Sequence, residues 1–120
     1  AGTPGYYKKA SHWPEGVEEI MVGVETFSKD EAIDILKMNK KDGKCYTMFN
    51  ALVAAKLNVI AGADSSCVAD TIGAADAWFE TWCEDFDLHA SNPAWGMDGE
   101  PMYWFLDSYN NGRECACPRD

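Results

Sequence analysis

Five cysteines constrain this chain more than any other feature of its sequence: Cys45, Cys67, Cys83, Cys115 and Cys117. Their spacing matches neither the paired CxxC of a zinc knuckle nor the CxxC of a thioredoxin. Cysteine usage of this kind is typical of a disulfide-bonded protein in an oxidising compartment. We therefore expect a secreted, extracellular protein whose fold is stabilised by disulfide bonds.

The stretch between Cys45 and Cys83 predicts two helices folded back on each other. Its apolar residues recur at spacings of three and four, which is the pattern of one helix face; they are Phe49, Leu52, Val53, Leu57 and Ile60, followed by Val68, Ile72, Ala75, Phe79 and Trp82. We expect helices over about 46–61 and 66–82, with Gly62 ending the first and Asp64, Ser65 or Ser66 capping the second. Because the connection is short, the two helices should run antiparallel.

Helix geometry limits how the cysteines pair. Cys67 and Cys83 bracket one helix and lie roughly 24 Å apart at a rise of about 1.5 Å per residue, whereas a disulfide needs Cα atoms within about 7 Å. In an antiparallel hairpin the start of the first helix lies beside the end of the second, so Cys45 should pair with Cys83. Cys67 lies at the opposite end and should take Cys115 or Cys117. One cysteine then remains, either as a free thiol or as half of an intermolecular bond.

The rest of the chain predicts a single domain over 1–120 with a mainly α fold. Residues 1–16 form an aromatic N-terminal strap, 17–83 the core, and 84–120 an irregular, cysteine-containing tail that wraps the helical hairpin. Alternating residues around Gly23 predict a small β-hairpin. Ser28 and Glu31 form a capping-box pattern that starts a short helix over about 29–38.

Composition excludes several classes of partner. Twenty acidic and ten basic residues give a formal net charge of −10, which disfavours nucleic acid and anionic membrane surfaces. The longest apolar run, from Ala51 to Ala63, is too short to cross a bilayer and is interrupted by Lys56 and Asn58. We therefore expect no nucleic-acid partner and no membrane insertion.

Several sequence segments resemble a module found in secreted and cell-surface proteins, many of them bacterial. The opening Thr3–Lys8 with His12-Trp13-Pro14 is similar to its "TPGYWK…WP". Phe27–Ala32, Leu52–Val59, Gly62-Ala63-Asp64, Thr71-Ile72 and Ala74–Trp78 resemble its "YTKAEA", "LIAAKLNVANGAD" and "TI…AADAWL". The match covers about residues 3–82, with Tyr7 where Trp is usual, and the cysteines and tail are additions. The resemblance implies an extracellular, cell-surface role with no established enzymatic activity.

The residues that catalysis requires do not form a recognisable motif. His12 and His89 are the two histidines, and neither belongs to a nucleophile motif such as GxSxG; His12 is interpreted as a hydrogen-bonded strap residue and His89 as a surface turn residue. Cys115-Ala116-Cys117 lacks the two-residue spacer of zinc sites, which favours a disulfide. We therefore expect no enzymatic activity, no cofactor and no metal.

Two functions are consistent with these patterns. The first is a structural protein that associates with copies of itself into a surface fibre or matrix, using the strap and the cysteine-rich tail. The alternative is a monomeric module that binds carbohydrate or another surface ligand. Aromatic side chains serve either the core or a contact surface. Trp104 is assigned to the core, whereas Tyr6, Tyr7 and Trp13 are the candidate contact surface.

Overall fold

The structure is a computed structural model that describes residues 1–38 and 40–118. It is mainly helical with one two-stranded antiparallel hairpin, which confirms the predicted fold class. In chain order the elements are α1 (Pro4–Tyr7), a 3-10 turn (Ala10–His12), β1 (Glu19–Val22), β2 (Glu25–Ser28), α2 (Lys29–Leu36), α3 (Lys44–Ile60), α4 (Ala69–Trp82), a π-helical segment (Ala94–Gly99) and α5 (Glu100–Asn110). The last two residues of the predicted tail lie outside the described part of the chain.

Helices α3 and α4 form the predicted antiparallel hairpin. Gly62 follows α3 with a φ of +102°, a left-handed conformation that favours glycine and ends the helix. The second helix begins three residues later than predicted, at Ala69, because Ser65 starts a separate turn in which its carbonyl accepts from the Val68 and Ala69 amides. The Asp64 carboxylate caps that turn through the Ser66 amide, at 2.8 Å, instead of capping the helix.

The small hairpin and helix α2 form as their local signals predict. Gly23 has a φ of +63° in the turn between β1 and β2. The Ser28 hydroxyl accepts from the Glu31 amide at 3.1 Å, and the Glu31 carboxylate accepts from the Ser28 amide at 2.8 Å. This reciprocal capping box starts α2, which ends at Leu36, two residues before the predicted end.

Helix α3 lies at the centre of the molecule. Ten of its 17 residues are buried, on every side of the helix, which is the pattern of a helix covered all round by other elements. The elements packed against it are α1, α2, β1, α4 and α5. An ion pair at 2.6 Å between Lys56 of α3 and Asp76 of α4 joins the hairpin helices, and Asp76 also accepts from the Gly23 amide at 2.9 Å.

The tail wraps the helical hairpin but is more regular than predicted, since 94–110 is helical. Pro101 lies in the first turn of α5, directly after the π-helical segment, and its fixed φ suits a helical start. Leu106 and Tyr109 are fully buried, whereas Trp104 is 58% exposed. The assignment of Trp104 to the core is wrong because, at about 100° per residue, its side chain lies roughly opposite Leu106.

Candidate functional site

Both predicted disulfide bonds are present, one at each end of the α3–α4 hairpin. Cys45 bonds to Cys83 and Cys67 bonds to Cys115, with Cα separations of 5.5 and 5.9 Å. The structure therefore selects Cys115 over Cys117 as the partner of Cys67. In the part of the chain that the structure describes, Cys117 is the free cysteine, and it is exposed.

The Cys45–Cys83 end is sealed by aromatic rings. Both sulfur-bearing residues have no exposed surface. Next to them Phe86 contacts the rings of Phe79 and Phe49, with centroid separations of 5.3 and 5.7 Å. Phe86 holds a φ of 57°, a conformation that is costly for a bulky residue. The ring packing therefore stabilises a strained turn next to the buried Cys45–Cys83 bond.

The Cys67–Cys115 end is open. A cleft of about 640 Å³ lies where the N-terminal segment, the α3–α4 turn and the tail meet; we call it the thiol cleft. Its lining includes Tyr6, His12, Asp64, Cys115 and Cys117. Cys115 is partly exposed there, and the free thiol lies two residues further along the chain. One cleft thus presents a thiol and one half of a disulfide to solvent.

A buried polar network forms the inner wall of the thiol cleft. The amide of Asn58, 2% exposed, accepts from the Gly2 N–H at 2.6 Å and from the Tyr7 hydroxyl at 2.5 Å. It donates to the Gly2 carbonyl at 2.9 Å and to the Asn110 side chain at 3.0 Å, and Asn110 donates to the Ala51 carbonyl at 3.1 Å. All four hydrogen-bonding positions of the Asn58 amide are therefore used.

Two further contacts hold the tail against the cleft. The Ala1 amino nitrogen donates to the Cys117 carbonyl at 2.6 Å. Gly112 has a φ of +75°, and a Cβ at this position would collide with Pro118. A side chain here would displace the segment 115–118, so the glycine positions both Cys115 and Cys117.

Two of the three predicted contact residues are buried. Tyr7 and Trp13 are 3% and 5% exposed, and the Trp13 indole N–H donates to the Tyr7 carbonyl at 2.8 Å. The structure therefore corrects the prediction that they form a contact surface, because their polar atoms find partners inside the protein. Tyr6 is half-buried, stacks on His12 with ring centroids 4.0 Å apart, and lines the thiol cleft.

The histidines have structural partners. His12 Nδ1 lies 2.8 Å from the Tyr6 carbonyl, which confirms its interpretation as a hydrogen-bonded strap residue. His89 is exposed and pairs with Ser91 at 3.0 Å. Over residues 1–38 and 40–118, no three His, Cys, Asp or Glu side chains are grouped so as to hold a metal ion. None of the described helices has the length and apolar character needed to cross a bilayer.

A second, smaller cleft of about 230 Å³ lies between the start of α3 and the middle of α5; we call it the amide cleft. Lys40, Tyr46, Asn50, Tyr103 and Asp107 are among its lining residues. The Asn50 Oδ1 atom is buried and has no hydrogen-bond donor within the described residues. Burial and the nearby Asp107 carboxylate raise the pKa of Tyr103, so its hydroxyl is a donor at neutral pH.

An apolar groove of about 480 Å³ runs between β1 and the end of α3. Met21 and Ile60 line it and are 54% and 53% exposed. Ile60 is followed directly by Ala61 and Gly62, which line the thiol cleft. The apolar groove and the thiol cleft are therefore neighbouring surfaces.

Two groups at the open end, Tyr109 and Asp64, have pKa values that differ from their ordinary ones. The Tyr109 hydroxyl donates to the Asp64 carbonyl at 2.7 Å, and burial, followed by the nearby Asp64 carboxylate, raises the pKa of Tyr109. Hydrogen bonds from Ser66 lower the pKa of Asp64. Near neutral pH Tyr109 is therefore a neutral donor and Asp64 an anion.

Comparison with known proteins finds no relative: no family model, no curated protein sequence and no solved structure matches this chain. The resemblance to the secreted "TPGYWK…WP" module therefore stays a prediction.

Proposed function

We propose that this protein is an extracellular structural subunit that associates with copies of itself into a surface fibre or matrix. The observation that carries the proposal is the exposed thiol of Cys117, beside four cysteines that are already paired within the chain. Two intramolecular disulfides are consistent with an oxidising, extracellular compartment. In that setting a leftover exposed cysteine is either a free thiol or one half of a bond between molecules, and the proposal takes the second reading for Cys117.

The thiol alone does not make a fibre. Each chain contributes one free cysteine, so a Cys117–Cys117 bond joins two chains and then stops. Growth beyond a dimer needs a second contact, and the apolar groove with Met21 and Ile60 supplies a surface for it. Contacts between two different patches of the same subunit produce open, filament-like assemblies.

Charge opposes this association at low ionic strength. A net charge of −10 on every subunit produces mutual repulsion, and salt screens it over about 10 Å at 0.1 M. We expect the associated fraction to increase with salt, which is measured by sedimentation velocity at several ionic strengths.

The test combines gels with negative-stain microscopy. Wild-type protein exposed to air should give bands above the monomer that collapse to one band on reduction, and Cys117→Ser should run as a monomer. Ile60→Glu should reduce the particles larger than a dimer, whereas Met97→Glu, at an exposed methionine outside the groove, should not. A wild-type protein that stays monomeric at every salt concentration would rule out the proposal.

A carbohydrate-binding module is the second candidate, and the amide cleft favours it. The unmet acceptor at Asn50 Oδ1 needs a donor, and a sugar hydroxyl supplies one while accepting from Lys40 at the rim. We expect a monomer with alkylated Cys117 to bind members of a glycan array and Asn50→Ala to lose that binding. Asn111→Ala, an exposed asparagine outside the cleft, is the control.

A further inference from the structure

The turn before α3 concentrates positive charge in a chain that is acidic as a whole. Four of the ten basic residues lie between positions 37 and 44, whereas the net charge of the chain is −10; they are Lys37, Lys40, Lys41 and Lys44. Lys40 and Lys41 are exposed and line the amide cleft. The entrance of this cleft therefore attracts anions, although the net charge of the protein repels them.

We infer that the amide cleft binds a hexuronic acid, a sugar unit that carries a carboxylate, and that Lys40 and Lys41 hold this carboxylate. The inference rests on the carbohydrate-binding function proposed for the cleft and does not involve the thiol. It adds the charge of the ligand, which the uncharged acceptor of Asn50 does not specify.

The charged groups of the cleft do not neutralise one another. Lys40 and Lys41 precede α3, whereas Asp107 lies on α5. Within residues 1–38 and 40–118 the ion pair present is Lys56 with Asp76, so neither cleft lysine is paired with a carboxylate there. Both ammonium groups are therefore available to a ligand.

Backbone contacts hold the turn that carries the two lysines. The Gly43 amide donates to the Lys40 carbonyl at 3.1 Å. The Lys44 ammonium donates to the Lys41 carbonyl at 3.0 Å and lies 5.5 Å from the centre of the Trp95 ring. Lys44 thus supports the turn, and the positions of Lys40 and Lys41 are set before a ligand arrives, which reduces the cost of binding.

The interior of the cleft suits hydroxyl groups. The buried Asn50 Oδ1 atom has no donor within the described residues, and the Asp107 carboxylate only accepts. A sugar hydroxyl donates to either group and still accepts from Tyr103, whose raised pKa keeps its hydroxyl protonated. Tyr46 and Tyr103 are half-buried and provide ring surface for the apolar face of a sugar.

The arrangement of charge favours an acidic sugar over other small ligands. A carboxylate is attracted by the two lysines and repelled by Asp107, so the charged carbon of the ring lies at the lysines and its hydroxyls lie towards α5. A neutral sugar leaves both ammonium groups unused, and a simple carboxylate offers no donor to Asn50. The volume of about 230 Å³ is below the range for drug-sized ligands and suits one sugar unit.

The experiment is an NMR titration of ¹⁵N-labelled protein alkylated at Cys117. The probes are D-glucuronate and D-galacturonate, their neutral counterparts D-glucose and D-galactose, and acetate, which carries the charge without the ring. In at least one pair the uronate should bind about tenfold more tightly than the neutral sugar at low salt, because charge-assisted hydrogen bonds are added. High salt should reduce this difference, and acetate should not shift the Asn50 side-chain signal.

Paired lysine variants locate the charge that is recognised. Lys40→Gln/Lys41→Gln should bind the uronate no more tightly than the neutral sugar, while its affinity for the neutral sugar stays that of the wild type. Lys8→Gln/Lys9→Gln is the matched control, since it removes the same charge from another exposed adjacent pair outside the cleft. It should keep the tenfold difference. Because all four lysines are exposed, both variants should retain the wild-type spectrum.

Three results would overturn the inference. Equal affinity for uronate and neutral sugar in both pairs would leave the carbohydrate-binding function standing and remove the role of the lysines. An equal loss of the preference in both lysine variants would show an effect of net charge alone. Saturable binding of acetate as tight as that of the uronate would show an anion site without sugar recognition. Absence of shifts with every sugar would instead remove the carbohydrate-binding function itself.

Discussion

The two ends of the α3–α4 hairpin carry the same covalent bond in opposite surroundings. Cys45–Cys83 joins positions 38 apart in the sequence and lies fully buried beside the Phe86 ring cluster, whereas Cys67–Cys115 joins positions 48 apart and opens onto the thiol cleft. Loop closure alone predicts about 4 kcal/mol of stabilisation from each. The two disulfides therefore differ in how accessible their cysteines are to solvent, and not in the chain entropy that they remove from the unfolded state.

This difference shows that the stability a disulfide provides and its accessibility to reductants can be set independently within one small fold. At the Cys45–Cys83 end both cysteines lie within the core and have no exposed surface. At the open end a polar network and a glycine turn hold the tail, so its disulfide is supported without being covered. The predictions below test this contrast, beginning with the largest expected effect.

Removing the buried Cys45–Cys83 disulfide should cause the largest loss of stability. In a Cys117→Ser background, Cys45→Ala and Cys83→Ala should each lower the free energy of unfolding by about 5 kcal/mol, since a cavity adds to the lost cross-link. The double variant should lose little more. Cys67→Ala should cost about 1 kcal/mol less because Cys67 is partly exposed, so its truncation leaves less enclosed empty volume. Urea unfolding measures all four; additive losses for Cys45 and Cys83 would contradict their pairing.

Breaking the polar network should cost somewhat less. Asn58→Ala removes the acceptor that the Gly2 amide and the Tyr7 hydroxyl share and the donor to the Asn110 Oδ1 atom, which should lower the free energy of unfolding by about 3 kcal/mol. The control is Asn111→Ala, which removes one exposed hydrogen bond from its side chain to the Asp107 carbonyl, with an expected loss of about 1 kcal/mol or less. Equal losses in urea unfolding would mean that the network contributes nothing specific to the open end.

Loosening the tail should expose the open disulfide further. Gly112→Ala combines a left-handed backbone with a collision against Pro118, which should cost about 2 kcal/mol. It should also speed native-state reduction of Cys67–Cys115. Gly62→Ala shares a left-handed backbone, at φ +102°, but meets no atom within 4 Å, so it should cost about 1 kcal/mol. Equal reduction rates in both variants would contradict the role of Gly112.

The smallest expected effect is a decline of the free energy of unfolding at alkaline pH. The pKa of Tyr109 is raised in the folded state, so the unfolded chain loses the phenol proton first as the pH rises past about 10. The contribution of Tyr109 to the free energy of unfolding is therefore fully present below about pH 10. It is lost as the pH rises from there through the folded-state pKa. Urea unfolding of Cys117→Ser against pH should show this decline, and Tyr109→Phe should flatten it. An unchanged alkaline slope in Tyr109→Phe would contradict the assignment.

Periodicity and helix geometry predicted the hairpin and its sealed disulfide, because a fixed rise per residue places Cys45 beside Cys83 once the helices run antiparallel. The partner of Cys67 was left open between Cys115 and Cys117. That choice depends on the path of the tail, which the Gly112 turn and the contact between Ala1 and Cys117 determine. Such contacts join distant parts of the chain and leave no local pattern.

Helix α5 was missed because Tyr103-Trp104-Phe105-Leu106 is apolar at every position and hides the helical period. Tyr7 and Trp13 were assigned to a surface because nothing local shows that Asn58 and the Tyr7 carbonyl would take up their polar atoms. The sequence did contain a pattern that could have pointed to the role of Asn58. It is one of two polar interruptions in the run from Ala51 to Ala63, and a lone amide in an apolar helix is often a buried hydrogen-bonding centre.

Limited reduction of the native protein tests the central contrast most directly. The protein is treated with a low concentration of dithiothreitol without denaturant, newly formed thiols are alkylated over time, and each cysteine is followed by mass mapping. The account predicts that Cys67 and Cys115 are labelled while Cys45 and Cys83 remain bonded, until the chain is unfolded with urea. Reduction of both disulfides at the same rate, or of Cys45–Cys83 first, would contradict it.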